Sequence, residues 1–150
     1  AITVDEEVIN WNHEIDADGA RAIVLTLAEN LALENQALRD NDAALLTAVA
    51  HGDRLESMQA GLRRAASTGL VTTSSYDFDD VRVTLLVPFG RQDGLSLGMV
   101  SRGTVTTETR NRAGDVVTRG SAPFETMWAM RRATGSRWLV VAELPVPTAR

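Results

Sequence analysis

The strongest pattern in this chain is the alternation of apolar and polar side chains between residues 121 and 144. In the first stretch, one face carries Phe124, Thr126, Trp128 and Met130, and the other carries Glu125, Met127, Ala129 and Arg131. In the second, Trp138, Val140, Ala142 and Leu144 alternate with Leu139, Val141 and Glu143. A period of two predicts two strands, joined here by a turn at residues 134–136.

Helical spacing dominates the first half of the chain. A helix over residues 19–38 is predicted by a stripe of Ala20, Ile23, Val24, Leu27, Leu31 and Leu38, with Asp16 or Asp18 as its N-cap. Its polar positions, expected to face water, are Glu29, Glu34, Gln36 and Arg39. A second helix buries Leu45, Leu46 and Val49 and ends at His51-Gly52. A protonated imidazole there would interact favourably with the dipole at the C-terminus of this helix. A third begins at a capping box of Asp53 and Glu56, buries Leu55, Met58 and Leu62, and stops at Gly69.

From residue 70 onward the pattern changes to that of strands. We predict strands over residues 81–89 and 95–109, with turns at 90–94 and 111–115, and with bulges or bends at Gly98, Gly103 and Gly120. Helices followed by strands joined through short turns indicate an α+β fold. The expected architecture is three N-terminal helices packed on a curved antiparallel sheet of four or more strands. Residues 1–18 form a lead-in, either extended or helical, residues 19–144 one domain, and residues 145–150 a tail.

Composition narrows the function classes. The chain has 150 residues and a net charge of −5, which argues against a non-specific nucleic-acid binder. It has no cysteine, which excludes disulfides and thiol nucleophiles. No apolar run is long enough to span a bilayer. Because the chain starts at Ala1 rather than Met, we expect that a membrane anchor could lie outside it.

The candidate chemical groups favour structure over catalysis. His13 and His51 are too far apart, and too isolated, for a zinc site. Asp77, Asp79 and Asp80 lack the glycine of a calcium loop and are expected to be solvated. We therefore expect no catalytic residue, no metal ligand and no cofactor.

The order of helices and the ending Gly-Ser-Arg-Trp138-Leu-Val-Val resemble the cystatin-like cone of the nuclear-transport-factor and ketosteroid-isomerase superfamily. Within it, the segment from Arg131 is similar to extracytoplasmic domains of actinobacterial membrane proteins associated with mammalian-cell-entry complexes, and to periplasmic assembly domains of type IV secretion. That resemblance implies a non-enzymatic scaffold held at a membrane. The superfamily's isomerases place an aspartate and a tyrosine in an apolar cavity, for which Tyr76 with Asp77 or Asp79 are the candidates.

Both faces of the last two strands carry apolar groups, but only one of the two faces can pack against the helices. We therefore predict an interaction surface formed by Met127, Ala129, Leu139 and Val141. The predicted function is a protein-interaction or assembly domain at the extracytoplasmic face of a membrane, with a cytoplasmic location as the alternative. It would bind a protein partner or a second copy, and no nucleic acid. The rival function is a small-molecule-binding or isomerase-like cone whose pocket is lined by Tyr76, Phe124, Trp128 and Trp138. A third is a structural domain beside a catalytic one.

Overall fold

The computed structural model describes residues 1–86, 96–132 and 137–146. Its helices are α1 (Glu6–Trp11), α2 (Ala17–Asp40), α3 (Ala43–Val49) and α4 (Gly52–Thr68). Its strands are β1 (Ile2–Val4), β2 (Val71–Leu86), β3 (Ser96–Arg110), β4 (Val116–Arg132) and β5 (Trp138–Leu144). The predicted α+β class is confirmed. The lead-in is both extended and helical, and α1 adds one helix to the three expected.

The strands form one mixed sheet in the order β1-β2-β3-β4-β5, open rather than closed into a barrel. Strand β1 runs parallel to β2, and the other neighbours are antiparallel. The predicted turn at 111–115 is present, with the Asn111 side chain accepting hydrogen bonds from the N–H groups of Ala113 and Asp115. The predicted turns at 90–94 and 134–136, and the strand residues 87–89, lie outside the described residues.

Helix α2 is the central helix, and local chemistry sets both of its ends. The Asp16 carboxylate accepts hydrogen bonds from the N–H groups of Asp18 and Gly19 at 3.1 and 3.0 Å, which confirms it as the N-cap. The helix stops at Asn41, whose φ of 52° is left-handed. Its apolar stripe packs on the sheet in one core with Val83, Met99, Trp128, Met130 and Val140.

Helix α4 begins two residues earlier than the sequence predicts. Its N-cap is His51, which makes no side-chain cap bond, so the expected capping box of Asp53 and Glu56 is wrong. His51 directly follows the C-cap of α3, Ala50, and its N–H donates to the Val140 carbonyl, while the interaction of its imidazole with the α3 dipole stays a prediction. Gly69, at φ 73°, ends the helix as predicted. A smaller core of Ala37, Leu46 and Leu62 joins α2, α3 and α4.

Three bulges interrupt the sheet, and the one between β3 and β4 skips Val117, because Thr109 pairs with Thr118 and Arg110 with Val116. Another lies between Phe78 and Asp80, opposite Gly103, where a Cβ would collide with the Asp77 carbonyl. Of the three predicted bends, this one is present, whereas the pairing is regular at Gly98 and Gly120. The third bulge lies between β4 and β5, where Ala129 pairs with Ala142 and Met130 with Val140. It skips Val141 and so reverses the two faces of β5 beyond that point.

Candidate functional site

Of the four residues predicted to line a pocket, Tyr76, Phe124 and Trp128 pack together, and Trp138 packs on the same core between sheet and helices. Trp128 is fully buried, and its Nε1–H donates to Ser101 Oγ at 3.0 Å. The Tyr76 ring meets Trp128 edge-on at 5.1 Å and Phe124 at 5.2 Å. Trp138 is half-buried against the same core. Such aromatic contacts are the usual content of a packed core rather than of an open cavity.

An ionic cluster that the sequence did not predict lies beside these rings. Arg54 on α4 makes two hydrogen bonds to Glu34 on α2, from Nε at 2.9 Å and from Nη2 at 3.0 Å. Its Nη1 donates to Glu143 on β5 at 3.3 Å, and its guanidinium carbon lies 5.2 Å from the centre of the Trp128 ring. The expectation that Glu34 faces water is wrong, because its side chain is 2% exposed.

Burial sets the charges of this cluster. Burial raises the pKa of Glu34, and the hydrogen bonds and charge of Arg54 oppose that rise. For Arg54, burial acts against the charged form, but the hydrogen bonds and charge of Glu34 raise its pKa above the ordinary value. The bidentate geometry favours the ionised pair, since both Glu34 oxygens accept from Arg54.

The bulge in β5 explains why Glu143 joins the cluster. Simple alternation places Glu143 on the face away from the helices. With Val141 skipped, Glu143 pairs with Trp128 and shares its helix-side face. Its Oε1 also accepts a hydrogen bond from Thr126 Oγ1 at 3.3 Å. Around it opens a polar cleft of ≈ 430 Å³, lined by Asp53, Arg54, Ser57, Thr126, Ala142, Glu143, Leu144 and Pro145.

The structure does not bring Tyr76 together with Asp77 or Asp79 as a catalytic pair. Tyr76 points into the core, where burial, followed by the charge of Glu143, raises its pKa. Asp77 and Asp79 are exposed. Glu34 is a buried carboxylate beside the aromatic rings, but both of its oxygens accept hydrogen bonds from Arg54 and are not available to act as a base. Within the part of the chain that the structure describes, no three His, Asp or Glu side chains gather as metal ligands.

The predicted interaction face lies opposite the helices but offers little open surface at its centre. Met127 and Ala129 are 5% and 6% exposed, while Leu139 and Val141 are half-buried. Met127 Sδ lies against Gly98, beside Thr84 and Leu86 of β2. The assignment of these four residues to an interface stays a prediction. Because they are largely buried, the edges of the sheet offer more accessible surface than this face.

Strand β4 has a long open edge. Strand β5 pairs only with Met127–Arg132, so residues 116–126 have β3 on one side and no other described strand on the opposite side. Residues 116–123 are all exposed, including Val116 at 47% and Val117 at 54%. The sequence signal for this edge was the difference in length between the two strands.

Two side-chain hydrogen bonds show which carbonyl groups of β4 face β3 and which face the open edge. The carbonyl of Gly120 accepts from Thr107 Oγ1 at 3.5 Å, and that of Thr126 accepts from Ser101 Oγ at 3.4 Å, so even-numbered carbonyls face β3. In an antiparallel strand the alternate residues then direct N–H and C=O outward. Arg119, Ser121 and Glu125 therefore offer both groups at the open edge, and Pro123, which has no N–H, offers only its carbonyl.

The corresponding edge of β2 is covered at two places. Strand β1 pairs only with Val81–Val83, but further along β2 the Asn35 side chain takes the place of a neighbouring strand. Its Nδ2–H donates to the Ser74 carbonyl at 2.7 Å, and its Oδ1 accepts from the Ser74 N–H at 3.1 Å. One buried amide on α2 thus satisfies both backbone groups of Ser74.

Comparison with known proteins identifies the fold and no family. No family model matches the chain, and no curated protein sequence matches it. A solved structure, the intermembrane space region of the chloroplast protein ARC6, is similar with a TM-score of 0.59 and 16% identity. The match covers 86% of this chain and 95% of that one. At this identity the similarity concerns the α+β fold alone.

Proposed function

We propose that this chain is a non-enzymatic protein-interaction and assembly domain that binds its partner by strand addition at the open edge of β4. The observation that carries the proposal is the row of outward N–H and C=O groups on the odd-numbered residues from Arg119 to Glu125, with which no other described strand pairs. Such an edge is a template for pairing with another chain, and strand addition is a recurring mode of recognition. Charges and prolines commonly block such an edge, and from Val117 to Thr126 the residues of these kinds are two charges, Arg119 and Glu125, and one proline, Pro123.

The proposal includes a location at the extracytoplasmic face of a membrane. It rests on the resemblance to extracytoplasmic assembly domains and on a structural neighbour that is itself an intermembrane space region. Among the described residues, no helix is both long and apolar enough to cross a membrane. Attachment would therefore depend on a segment other than the helices described here.

The rival proposal, a ligand-binding or isomerase-like cone, is less well supported. Its pocket would lie between sheet and helices, where Trp128, Leu97, Met99 and Met130 are each fully buried and in contact. The polar cleft around Glu143 lies outside that core, and its most basic group, Arg54, is held by two carboxylates. A small molecule bound there would compete with these ion pairs.

Photo-crosslinking in the cells that make the protein tests strand addition. A photoreactive residue at position 119 should capture a protein partner, and one at Arg63, on the exposed face of α4, should not. The substitution Ser121→Pro removes an outward N–H and should abolish the crosslink from position 119, while circular dichroism shows an unchanged fold. Equal capture from both positions, or capture that survives Ser121→Pro, would refute binding at this edge.

A further inference from the structure

We infer that the partner at the open edge is a second copy of this chain, paired antiparallel so that Arg119 of each copy lies opposite Glu125 of the other. This inference rests on the proposed strand addition and identifies its partner. Two identical edges can meet around a two-fold axis, in which every contact occurs twice. The question is whether this edge is complementary to itself.

Backbone geometry restricts the possible registers. Residues whose N–H and C=O point outward must face each other, and in β4 these are the odd-numbered ones. With Arg119 opposite Glu125, Ser121 lies opposite Pro123, and Ala122 lies on the axis. Arg119 and Glu125 exchange both backbone hydrogen bonds, and Ser121 donates to the Pro123 carbonyl. The missing N–H of Pro123 leaves only the Ser121 carbonyl without a donor.

The charges of the edge favour this register. Both Arg119 and Glu125 are exposed and lie on the face of β4 away from the helices. Opposite Arg119 on β3 stands Glu108, which already accepts from Arg110 at 2.6 Å. Opposite Glu125 stands Arg102, which is bound to Asp80 at 2.7 Å. In the dimer, each of these two side chains gains an opposite charge directly across the strands, and such cross-strand pairs are stabilising.

The remaining side chains also match. Gly120 lies opposite Phe124, and its missing side chain leaves room for the Phe124 ring, which packs on Tyr76 and Phe78 of its own chain. Thr118 lies opposite Thr126, whose hydroxyl is bonded within its own chain to Glu143 and the Leu144 carbonyl. At the axis, Ala122 faces itself and is small enough to allow close approach.

Shifting the register by two positions loses this match. One shift places Arg119 opposite Pro123 and leaves Glu125 opposite Val117. The other places Arg119 opposite Met127, which already pairs with Leu144 of β5, leaves Glu125 opposite Ser121, and sets Pro123 opposite itself. The direct charge pairs therefore select one register. Residues beyond Thr126 cannot extend it, because Met127 already pairs with Leu144 of β5.

Sedimentation equilibrium of charge-reversed variants tests the inference. The unmodified chain should form a dimer with increasing concentration, and either Arg119→Glu or Glu125→Arg should raise the dissociation constant about tenfold or more. Mixing the two variants should restore association, because every cross-strand pair in the mixed dimer is again of opposite charge. The matched controls Arg63→Glu and Glu56→Arg reverse exposed charges on α4 and should leave the dimer unchanged.

The possible failures are distinct from one another. A chain that stays monomeric up to about 1 mM overturns the second-copy inference. If position 119 then still crosslinks to a different protein, and Ser121→Pro abolishes that crosslink, strand addition stands. If no crosslink forms, the proposed function fails as well. A dimer insensitive to charge reversal, or variants that fail to associate on mixing, would overturn the register.

Discussion

The free edges of β2 and β4 differ because a helix reaches only one of them. Helices α2 and α4 pack on β2 and β5. From α2, Asn35 closes the β2 edge at Ser74 with two hydrogen bonds, and the adjacent Glu34 binds Arg54. No helix among the described residues packs in this way on the edge of β4 at residues 116–126. A helix therefore covers a sheet edge only where its polar side chains lie opposite the outward N–H and C=O groups of the strand. Where it has none, these groups stay accessible to another chain.

The comparison predicts that the covered region is far more sensitive to substitution than the open one. The largest effect is expected for Glu34→Ala, which should lower the free energy of unfolding by about 3–5 kcal/mol. The reason is that Arg54, itself 11% exposed, would lose its bidentate partner and remain largely buried. Urea denaturation followed by circular dichroism measures the loss.

The double substitution Glu34→Met with Arg54→Met is the control for buried charge. It removes both charges while keeping apolar volume, so it should recover most of the loss seen in Glu34→Ala. A loss below about 1 kcal/mol in Glu34→Ala would contradict the assigned role of the pair and mean that Glu143 alone satisfies Arg54.

Opening the β2 edge should have the next largest effect. We expect Asn35→Ala to lower the free energy of unfolding by about 2 kcal/mol, because the Ser74 N–H and C=O both lose their partner. Hydrogen exchange at the Ser74 amide should become faster. The matched control is Gln36→Ala, an exposed amide on the same helix, expected to change stability by less than about 0.5 kcal/mol. Equal effects at both positions would show that Asn35 does not close the edge.

A smaller effect is expected from ionisation of Tyr76. Burial raises the pKa of Tyr76, followed by the charge of Glu143, so the unfolded chain loses this proton first as pH rises. Stability should therefore fall as pH increases above about 10, the ordinary phenol value. The chain has one tyrosine, no lysine and no cysteine, so no other side chain titrates there until arginine. Phenolate absorbance follows this group alone, and Tyr76→Phe should remove the fall.

The sequence predicted the features that depend on local chemistry. The Asp16 cap, the stripe of α2, the stop at Gly69 and the turn at Asn111 each follow from neighbouring residues. The prediction that Glu34 faces water is wrong because it follows from the charge of the residue and not from its position on the helix. It lies three residues after Leu31 and seven after Leu27, which places it on the buried stripe. That spacing was a usable signal, since a buried carboxylate requires a cationic partner elsewhere.

The parts of the site that depend on long-range register could not be predicted. Glu143 reaches Arg54 only because the bulge skips Val141, and nothing in the composition of β5 marks that position. Likewise, Asn35 finds Ser74 through the packing of α2 on β2, 39 residues apart in sequence. Alternation gives the two faces of a strand but neither its register nor its bulges.

The smallest expected effect is that of Val117→Ala at the open edge, compared with Val83→Ala in the covered region. Val83 is 0% exposed, and deleting its two methyl groups leaves a cavity expected to cost about 1–3 kcal/mol. Val117 is 54% exposed, so the same deletion should change the free energy of unfolding by less than about 0.5 kcal/mol. Both are measured by urea denaturation at protein concentrations too low for association. If the two losses were equal, Val117 would have to be packed in the isolated chain, and the β4 edge would not be open.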